Sequence, residues 1–182
     1  MRNLLAIQGI KGSYSEEAAR KLFPEKNARI LECLNFEQTF AAVLSKQANY
    51  AVVPFKNKIV GEIETTHILL KQTDLRILEE LSLEIRHVLV GTKDARFENL
   101  KSVCSHVEAL KQCRIFLSKN QKLREVIGAD TASSVRRVVE EYNAANAAIG
   151  SRRAAEIYGA KILKENVADA LENWTTFYLL GN

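Results

Sequence analysis

Short strand-like runs alternate along this chain with segments whose apolar residues recur at helical spacing. Phe36, Phe40 and Val43 show the helical spacing in one such segment. Regular alternation of this kind is typical of an α/β chain built from strand–helix–strand units, so the predicted fold class is α/β. The strand-like runs cover residues 4–8, 29–34, 50–53, 75–79, 83–90, 102–104, 124–127, 147–149 and 175–180.

The alternation breaks over residues 75–90, where apolar residues continue without a helix between them. We interpret this stretch as a crossing from one lobe to a second, with the last strand returning to pair in the first lobe. The predicted first lobe is discontinuous and comprises residues 1–79 and 163–182, and the second lobe comprises residues 80–162. Two lobes with two connections form a cleft that can hinge around a ligand.

Helix starts are marked by side chains that accept hydrogen bonds from free backbone N–H groups. A Ser or Asn followed three residues later by Glu or Gln forms a capping box, and a lone Asp or Ser before an apolar helix also qualifies. The predicted N-caps are Ser13, Asn35, Ser105, Asp130 and Ser151, and Gly159 is predicted to end the last helix.

Composition is ordinary for a globular protein, with 47% hydrophobic and 26% charged residues among 182. The N-terminus lacks a long apolar segment with a cleavage site, and no apolar run is long enough to span a bilayer, so we expect a cytoplasmic protein without membrane contact. Cys33, Cys104 and Cys113 lack CxxC spacing and are predicted to be reduced structural thiols. The three histidines lie in separate segments, so no metal site is expected.

The formal net charge is +4 and the sequence pI is about 9.0, values that also occur in nucleic-acid-binding proteins. Lys and Arg are nevertheless scattered, and the longest basic runs are pairs such as Arg136-Arg137. No basic and aromatic recognition motif is present. We therefore expect a small anionic ligand and no nucleic-acid partner.

The loop after the first strand, from Gly9 to Ser15, contains two glycines and leads into a predicted helix. Glycine lets the backbone approach a ligand, and the free N–H groups at a helix N-terminus attract an anion. The same pattern also fits a tight turn with a capping serine, and neither GxGxxG nor a P-loop is present. The candidate substrate-binding residues of this loop are Gly12, Ser13, Tyr14 and Ser15.

Two further polar segments adjoin predicted strands. The first follows the strand at 50–53 and places Asn57 between Lys56 and Lys58. Open α/β sheets bind ligands at the carboxyl ends of their strands, although two lysines in a surface turn also fit a solvated loop. The second segment, 173–176, lies at the entry to the last strand, where threonine is also a common structural residue.

These segments, in this order, resemble the catalytic domain of the prephenate dehydratase family over essentially the whole chain. The family's Gly-x-x-Gly-Thr-Phe-Ser opening is similar to the loop from Gly9 to Ser15. Its Val-Pro-Ile-Glu-Asn-Ser turn is similar to residues 53–58, with Gly61 following. Its Ser-His-Pro-x-Ala-Leu-x-Gln-Cys element is similar to residues 105–113. The segments 130–132, 147–151, 154–155 and 158–159 also follow the family pattern.

The resemblance implies two Rossmann-like lobes of the type 2 periplasmic-binding-protein kind, with a substrate in the cleft between them. It implies prephenate, a small dicarboxylate, as that substrate, together with a homodimer and no cofactor. Family members commonly carry a C-terminal ACT domain that senses phenylalanine. The chain ends at Asn182, so we expect no ACT domain here.

The resemblance also assigns roles. The family's Thr-Arg-Phe signature stands here as Thr175, Thr176 and Phe177, which keeps the threonine implicated in dehydration and replaces the arginine associated with carboxylate binding. The Glu-Asn-Ser motif keeps only Asn57. By this resemblance Thr175 and Asn57 are candidate catalytic residues. The remaining candidate substrate-binding residues are Lys56, Lys58, Asn173, Thr176 and Phe177.

Losing the motif arginine should remove one charge-assisted hydrogen bond, worth about 1.5 to 3 kcal/mol. Lys56 or Lys58 is a candidate replacement from across the cleft. The resemblance favours dehydration and decarboxylation of prephenate to phenylpyruvate in phenylalanine biosynthesis. Two alternatives stay open, namely a non-aromatising prephenate decarboxylase of specialised metabolism and a catalytically silent anion-binding module. We interpret His106 as structural, because Ser105 already explains the helix start.

Overall fold

The computed structural model describes residues 3–24 and 28–182. Its helices are α1 (Tyr14–Leu22), α2 (Phe36–Leu44), α3 (Glu64–Lys71), α4 (Val107–Lys111), α5 (Arg114–Ser118), α6 (Thr131–Glu141) and α7 (Arg152–Tyr158). Its strands are β1 (Leu4–Gln8), β2 (Arg29–Cys33), β3 (Tyr50–Asn57), β4 (Gly61–Glu62), β5 (Arg76–Glu84), β6 (Val88–Gly91), β7 (Ser102–Ser105), β8 (Arg124–Ile127), β9 (Asn146–Gly150), β10 (Lys161–Lys164) and β11 (Trp174–Gly181).

The first of two compact units contains the chain up to Ile10, Tyr14–Ile85 and Asn173–Asn182. Its mixed sheet has the order β2-β1-β3-β11-β5, with β4 beside β3. β1 is parallel to β2 and β3, whereas β11 is antiparallel to both β3 and β5. The predicted return of the last strand to the first lobe is therefore confirmed.

Both faces of this sheet are covered, because successive side chains of a strand point to opposite sides. Leu5 and Ile7 of β1 pack with α1 residues, together with Val52. Ala6, between them in sequence, packs on the other face with residues of α2, including Phe40. The interior is thus split into two apolar clusters with the sheet as their shared layer.

The second unit contains Lys11–Ser13 and Arg86–Glu172. Its sheet has the order β10-β6-β9-β7-β8, with β7 parallel to β8 and β9, and β6 antiparallel to β9 and β10. Leu89, Val103 and Ile149, one from each of three strands, form the centre of its apolar core. Two mixed sheets with helices confirm the predicted α/β fold of the periplasmic-binding-protein kind.

The boundaries of the two units differ from those expected from the sequence, which were 79/80 and 162/163. β5 continues to Glu84 because Leu83 and Glu84 still pair with β11 in the first sheet. The predicted strand at 83–90 is therefore two strands, in two sheets, separated by residues 85–87. At the second boundary, β10 was not predicted, and it belongs to the second sheet because it pairs with β6.

Three of the predicted N-caps are confirmed. The side chains of Asn35, Asp130 and Ser151 accept hydrogen bonds from backbone N–H groups three residues later. The prediction for Ser105 is wrong, because this residue ends β7 and its buried hydroxyl donates to the carbonyl of Ile149 at 2.7 Å. His106 is the N-cap instead, since its Nδ1 accepts from the N–H of Glu108.

Gly159 ends α7 in the left-handed conformation with φ +69°, as predicted. The three cysteines are free and buried. Burial raises the pKa of Cys113 to about 12, with the nearby Asp169 carboxylate adding to the effect. In the part of the chain that is described, each helix is too short or too polar to cross a membrane.

His87 gives the fold a specific pH dependence. Its side chain is buried, its Nε2 lies 3.0 Å from Gln112 Oε1, and burial lowers its pKa to about 4. The His87 imidazole is protonated near pH 6.5 in the unfolded chain, but only near pH 4 in the folded chain. The contribution of His87 to the free energy of unfolding is therefore fully present above pH 6.5, and it falls by about 3 kcal/mol as the pH drops to 4.

We expect the free energy of unfolding of the His87→Gln variant to fall less between pH 7 and pH 4 than that of the wild-type protein, by about this amount. Urea unfolding at a series of pH values between 7 and 4 measures the difference in slope between the variant and the wild-type protein. Acidic side chains contribute equally to both proteins, so they cancel in the comparison. Identical slopes would show that His87 is not the group responsible.

Candidate active site

The candidate catalytic residues lie where β3 ends and β11 begins in the first sheet. Phe177 lies opposite Pro54, and the register then shifts by one residue, so that Thr175 lies opposite Asn57. Regular antiparallel pairing from Phe177 would have set Lys56 opposite Thr175 instead. The β-bulge therefore brings the Asn57 side chain to the face on which Thr175 lies.

The side-chain amide of Asn57 has a determined orientation. Its Oδ1 accepts from the backbone N–H groups of Ile59 and Val60, each at 2.9 Å. Only the amide oxygen can accept two such bonds, so Nδ2 must face the opposite way. There Nδ2 donates to Asn173 Oδ1 and Thr175 Oγ1, both at 2.8 Å.

This orientation decides what the Thr175 hydroxyl can do. A hydroxyl has one donor hydrogen and two acceptor sites, and Asn57 occupies an acceptor site. Among the described residues, no group accepts a hydrogen bond from Thr175 Oγ1. The residue is only 6% exposed, so bulk water has little access to this hydroxyl. Its hydrogen would therefore be available to a ligand that binds beside it.

The backbone near these side chains is also held in place. Asn173 is 1% exposed, and its carbonyl accepts from the N–H of Ile85 at 2.7 Å. The carbonyl of Trp174 accepts from the N–H of Lys58 at 2.8 Å. The start of β11 is thus fixed to both neighbouring segments, which limits the motion of Thr175.

The hairpin lysines lie in different positions relative to the motif. Lys56 is the register partner of Thr176, and Thr176 is the residue that stands where the family has its arginine. Directly opposed residues of an antiparallel pair have Cβ atoms about 4.5 to 5.5 Å apart. Lys56 is exposed, so its ammonium group can occupy the space around Thr176. Lys58 follows the end of the strand and lacks such a partner position in the register of β3 and β11.

The glycine loop is divided between the two units, with Lys11–Ser13 in the second and Tyr14 and Ser15 in the first. Gly12 has φ +89°, and a Cβ there would lie 3.0 Å from Ala154 Cα in α7. Its carbonyl accepts from Ser151 Oγ at 2.8 Å. This glycine is therefore required by the turn and by close packing on α7. Ser13 and Ser15 are buried beside it in sequence.

Two of the predicted ligand contacts have packing roles. Phe177 is 2% exposed and lies in the apolar cluster that contains Leu5 and Ile7. Tyr14 packs against the same cluster and stays partly exposed. The sequence did not indicate the backbone N–H groups of Ile59 and Val60, because a main-chain donor leaves no residue-type signal.

Two mixed sheets of α/β units, with a polar site at the carboxyl end of a strand, define a class of proteins that bind small ligands. Within that class the family is settled by sequence similarity. The family model described as prephenate dehydratase matches residues 5–182, so the chain belongs to the prephenate dehydratase family, as predicted.

Individual relatives agree with this. Arogenate dehydratase/prephenate dehydratase 2 of Arabidopsis thaliana is 36% identical over 177 residues, covering 97% of this chain and 46% of the relative. Prephenate dehydratase from Arthrobacter aurescens, solved with L-Phe, superposes with TM-score 0.89 at 25% identity, covering 98% of this chain and 60% of that one. The quorum quenching acylase GqqA superposes with TM-score 0.86 at 32% identity, covering 99% and 64%. The chain spans about half the length of the curated relatives it matches.

Proposed function

We propose that this chain is a prephenate dehydratase-type lyase that converts prephenate to phenylpyruvate, water and carbon dioxide. The observation that carries the proposal is the hydrogen bond from Asn57 Nδ2 to Thr175 Oγ1, in which the threonine accepts and so has its own hydrogen available for a ligand. Membership of the family supplies the substrate class. A cytoplasmic location, a homodimer and a role in phenylalanine biosynthesis stay predictions attached to this proposal.

The reaction breaks two bonds to the same six-membered ring. The ring carboxylate leaves as carbon dioxide, and its bonding electrons move into the ring while the C–O bond on the opposite side breaks. The departing hydroxyl takes up a proton and leaves as water, which makes the ring aromatic. A hydrogen bond that strengthens as charge develops on the departing oxygen lowers the barrier. In this proposal Thr175 gives this bond and Asn57 is the positioning residue, and the hydrogen bond from Asn57 Nδ2 to Thr175 Oγ1 supports both roles.

A nucleophilic role for Thr175, as in acyl transfer, is not favoured by this geometry. A threonine nucleophile needs a neighbouring base that accepts its proton. The hydrogen-bond partner of Thr175 Oγ1 is instead a donor, the Asn57 amide. The similarity to GqqA, a quorum quenching acylase, therefore extends to the fold and the family more readily than to a threonine-dependent acylase mechanism here.

We further propose that a lysine of this hairpin, Lys56 or Lys58, replaces the motif arginine and binds the retained pyruvyl carboxylate. Lys56 lies opposite Thr176, on the other face of the sheet from Thr175, and Lys58 lies in the turn that follows β3. A cation on the departing carboxylate would stabilise the ground state and slow its loss, so the retained carboxylate is the productive target. Replacing both lysines with Met should raise KM by roughly tenfold to a hundredfold with a smaller change in kcat, since one charge-assisted hydrogen bond is lost. The single variants Lys56→Met and Lys58→Met show which lysine is responsible, and an unchanged KM and kcat in the double variant would contradict the proposal.

Product analysis tests the proposed function directly. Purified protein is incubated with prephenate, and separately with arogenate, and the products are identified by ultraviolet absorbance and NMR. Phenylpyruvate or phenylalanine supports the lyase and identifies the preferred substrate. A non-aromatic decarboxylated product would assign the chain to the decarboxylase alternative. Unchanged prephenate with measurable binding would assign it to the silent binding module.

A further inference from the structure

Asn173 is joined to the candidate catalytic residues through its side-chain oxygen. Its Oδ1 accepts from Asn57 Nδ2 at 2.8 Å. Asn173 is 1% exposed, against 6% for Thr175, so its side chain has almost no surface to offer to a ligand. The N–H of Ile85 donates to the Asn173 carbonyl at 2.7 Å, which fixes the backbone from which the side chain extends. The residue is therefore placed to act on Asn57.

The amide nitrogen of Asn57 has two hydrogens and three oxygen acceptors within reach. Asn173 Oδ1 and Thr175 Oγ1 each lie 2.8 Å from Nδ2, and the carbonyl oxygen of Trp174 lies at 3.3 Å. The amide group is planar and rigid, so the direction of one hydrogen determines the direction of the other. When Asn173 Oδ1 accepts the first hydrogen, the second points at Thr175. Asn173 thus adds a constraint at the nitrogen end of the amide.

Loss of the Asn173 oxygen would change the direction of the Asn57 amide. One buried Asn57 hydrogen would lose its acceptor, and leaving a buried donor unsatisfied is costly. The Trp174 carbonyl accepts from the N–H of Lys58 at 2.8 Å and has a second lone pair to offer. A turn of the amide toward this carbonyl moves the other hydrogen away from Thr175 Oγ1. The threonine hydroxyl then loses the bond that sets its own direction.

We propose that Asn173 is a positioning residue of this active site, which acts on Thr175 through the Asn57 amide. The effect on the reaction rate rests on the proposed function, whereas the hydrogen bond between the two asparagines can be tested without substrate. The family resemblance instead assigns Asn173 to direct substrate binding. The two roles predict different kinetics, because loss of a binding contact raises KM and loss of positioning lowers kcat.

Kinetics with prephenate separate these two roles. Asn173→Leu removes the acceptor oxygen and should lower kcat by roughly tenfold or more, with KM within about twofold of the wild-type value. Asn173→Asp keeps an acceptor oxygen for Asn57 and should restore most of the lost kcat. Asn146→Leu is the matched control in the second unit, because Asn146 Oδ1 accepts from Ser102 Oγ at the same distance of 2.8 Å. This control removes a comparable hydrogen bond and should keep the wild-type kcat.

The side-chain amide of Asn57 provides a second measurement, which needs no substrate. In the isotopically labelled full chain, its two Nδ2 hydrogens should exchange slowly with water, since both are bonded in a buried site. Asn173→Leu should speed this exchange at least about tenfold, whereas Asn173→Asp and Asn146→Leu should leave it close to the wild-type rate. If this pattern is found but the wild-type protein leaves prephenate unchanged, the hydrogen-bond role of Asn173 stands and the proposed function fails.

Three results would each overturn the proposal. The first is an Asn57 amide exchange rate that does not change in Asn173→Leu. The second is a rise in KM with kcat intact, which would assign Asn173 to substrate binding. The third is a loss of kcat in Asn173→Asp as large as that in Asn173→Leu, which would show that the acceptor oxygen is not the group responsible. If Asn173→Leu does not fold, Asn173→Ala removes the same oxygen, and the same measurements decide the outcome.

Discussion

Thr175→Val is expected to lower kcat for aromatisation of prephenate by roughly 10²- to 10⁴-fold, the range usual for loss of a positioned proton or hydrogen-bond donor. Valine has nearly the shape of threonine but cannot donate to the departing hydroxyl. Thr175 is 6% exposed and pairs with Leu83 and Asn57 across two strands, so the substitution keeps the packing while removing the donor. KM should change little, because the bond strengthens mainly in the transition state.

Two control substitutions separate chemistry from folding. Thr175→Ser keeps the hydroxyl and should retain most of the activity. Thr176→Val removes a hydroxyl from the next residue, which lies on the opposite face of β11, so kcat should fall far less than in Thr175→Val, and any effect on the candidate binding role of Thr176 should be in KM. Thermal unfolding of each protein is measured alongside the kinetics. If Thr175→Val aromatises prephenate at the wild-type rate, Thr175 has no part in proton donation.

Much of the fold was predictable because period-2 and period-3.6 apolar patterns determine which faces are buried. The runs at 4–8 and 124–127 match β1 and β8 at both ends, since each is a compact parallel strand followed by a clear helical segment. β10 was missed because its two apolar residues, Ile162 and Leu163, are flanked by lysines at both ends and because only two residues separate the strand from the end of α7.

The residues of the hydrogen-bonded cluster were predictable from the sequence, but their geometry was not. The sequence indicated Asn57, Asn173 and Thr175, and these three side chains are connected by hydrogen bonds at 2.8 Å. The sequence could not indicate the β-bulge, since an extra residue in one strand shifts the register without a distinctive residue type. That bulge is the reason why Asn57, and not Lys56, contacts Thr175.

Asn57→Asp is expected to reduce kcat by roughly 10²-fold or more while Thr175 stays in place. The aspartate keeps an oxygen for the N–H groups of Ile59 and Val60, so the turn can still form. Its second oxygen replaces the donor that faces Thr175, and the threonine hydroxyl must then give its hydrogen to the carboxylate. The hydrogen that should reach the ligand is turned inward. Some loss of stability, about 1 to 3 kcal/mol, should accompany the change, since Asn173 Oδ1 also loses its donor.

A double-mutant cycle distinguishes this mechanism from general damage to the site. If Asn57 acts by orienting the Thr175 hydroxyl, Asn57→Asp should lower kcat sharply in the wild-type chain and hardly at all in the Thr175→Val chain, because the group it orients is already absent. If the two residues contributed independently, their reductions in kcat would instead multiply, and the double variant would be far slower than either single variant. The measured coupling therefore decides whether Asn57 is a positioning residue or contributes to catalysis separately, and thermal unfolding of all four proteins shows that each is folded.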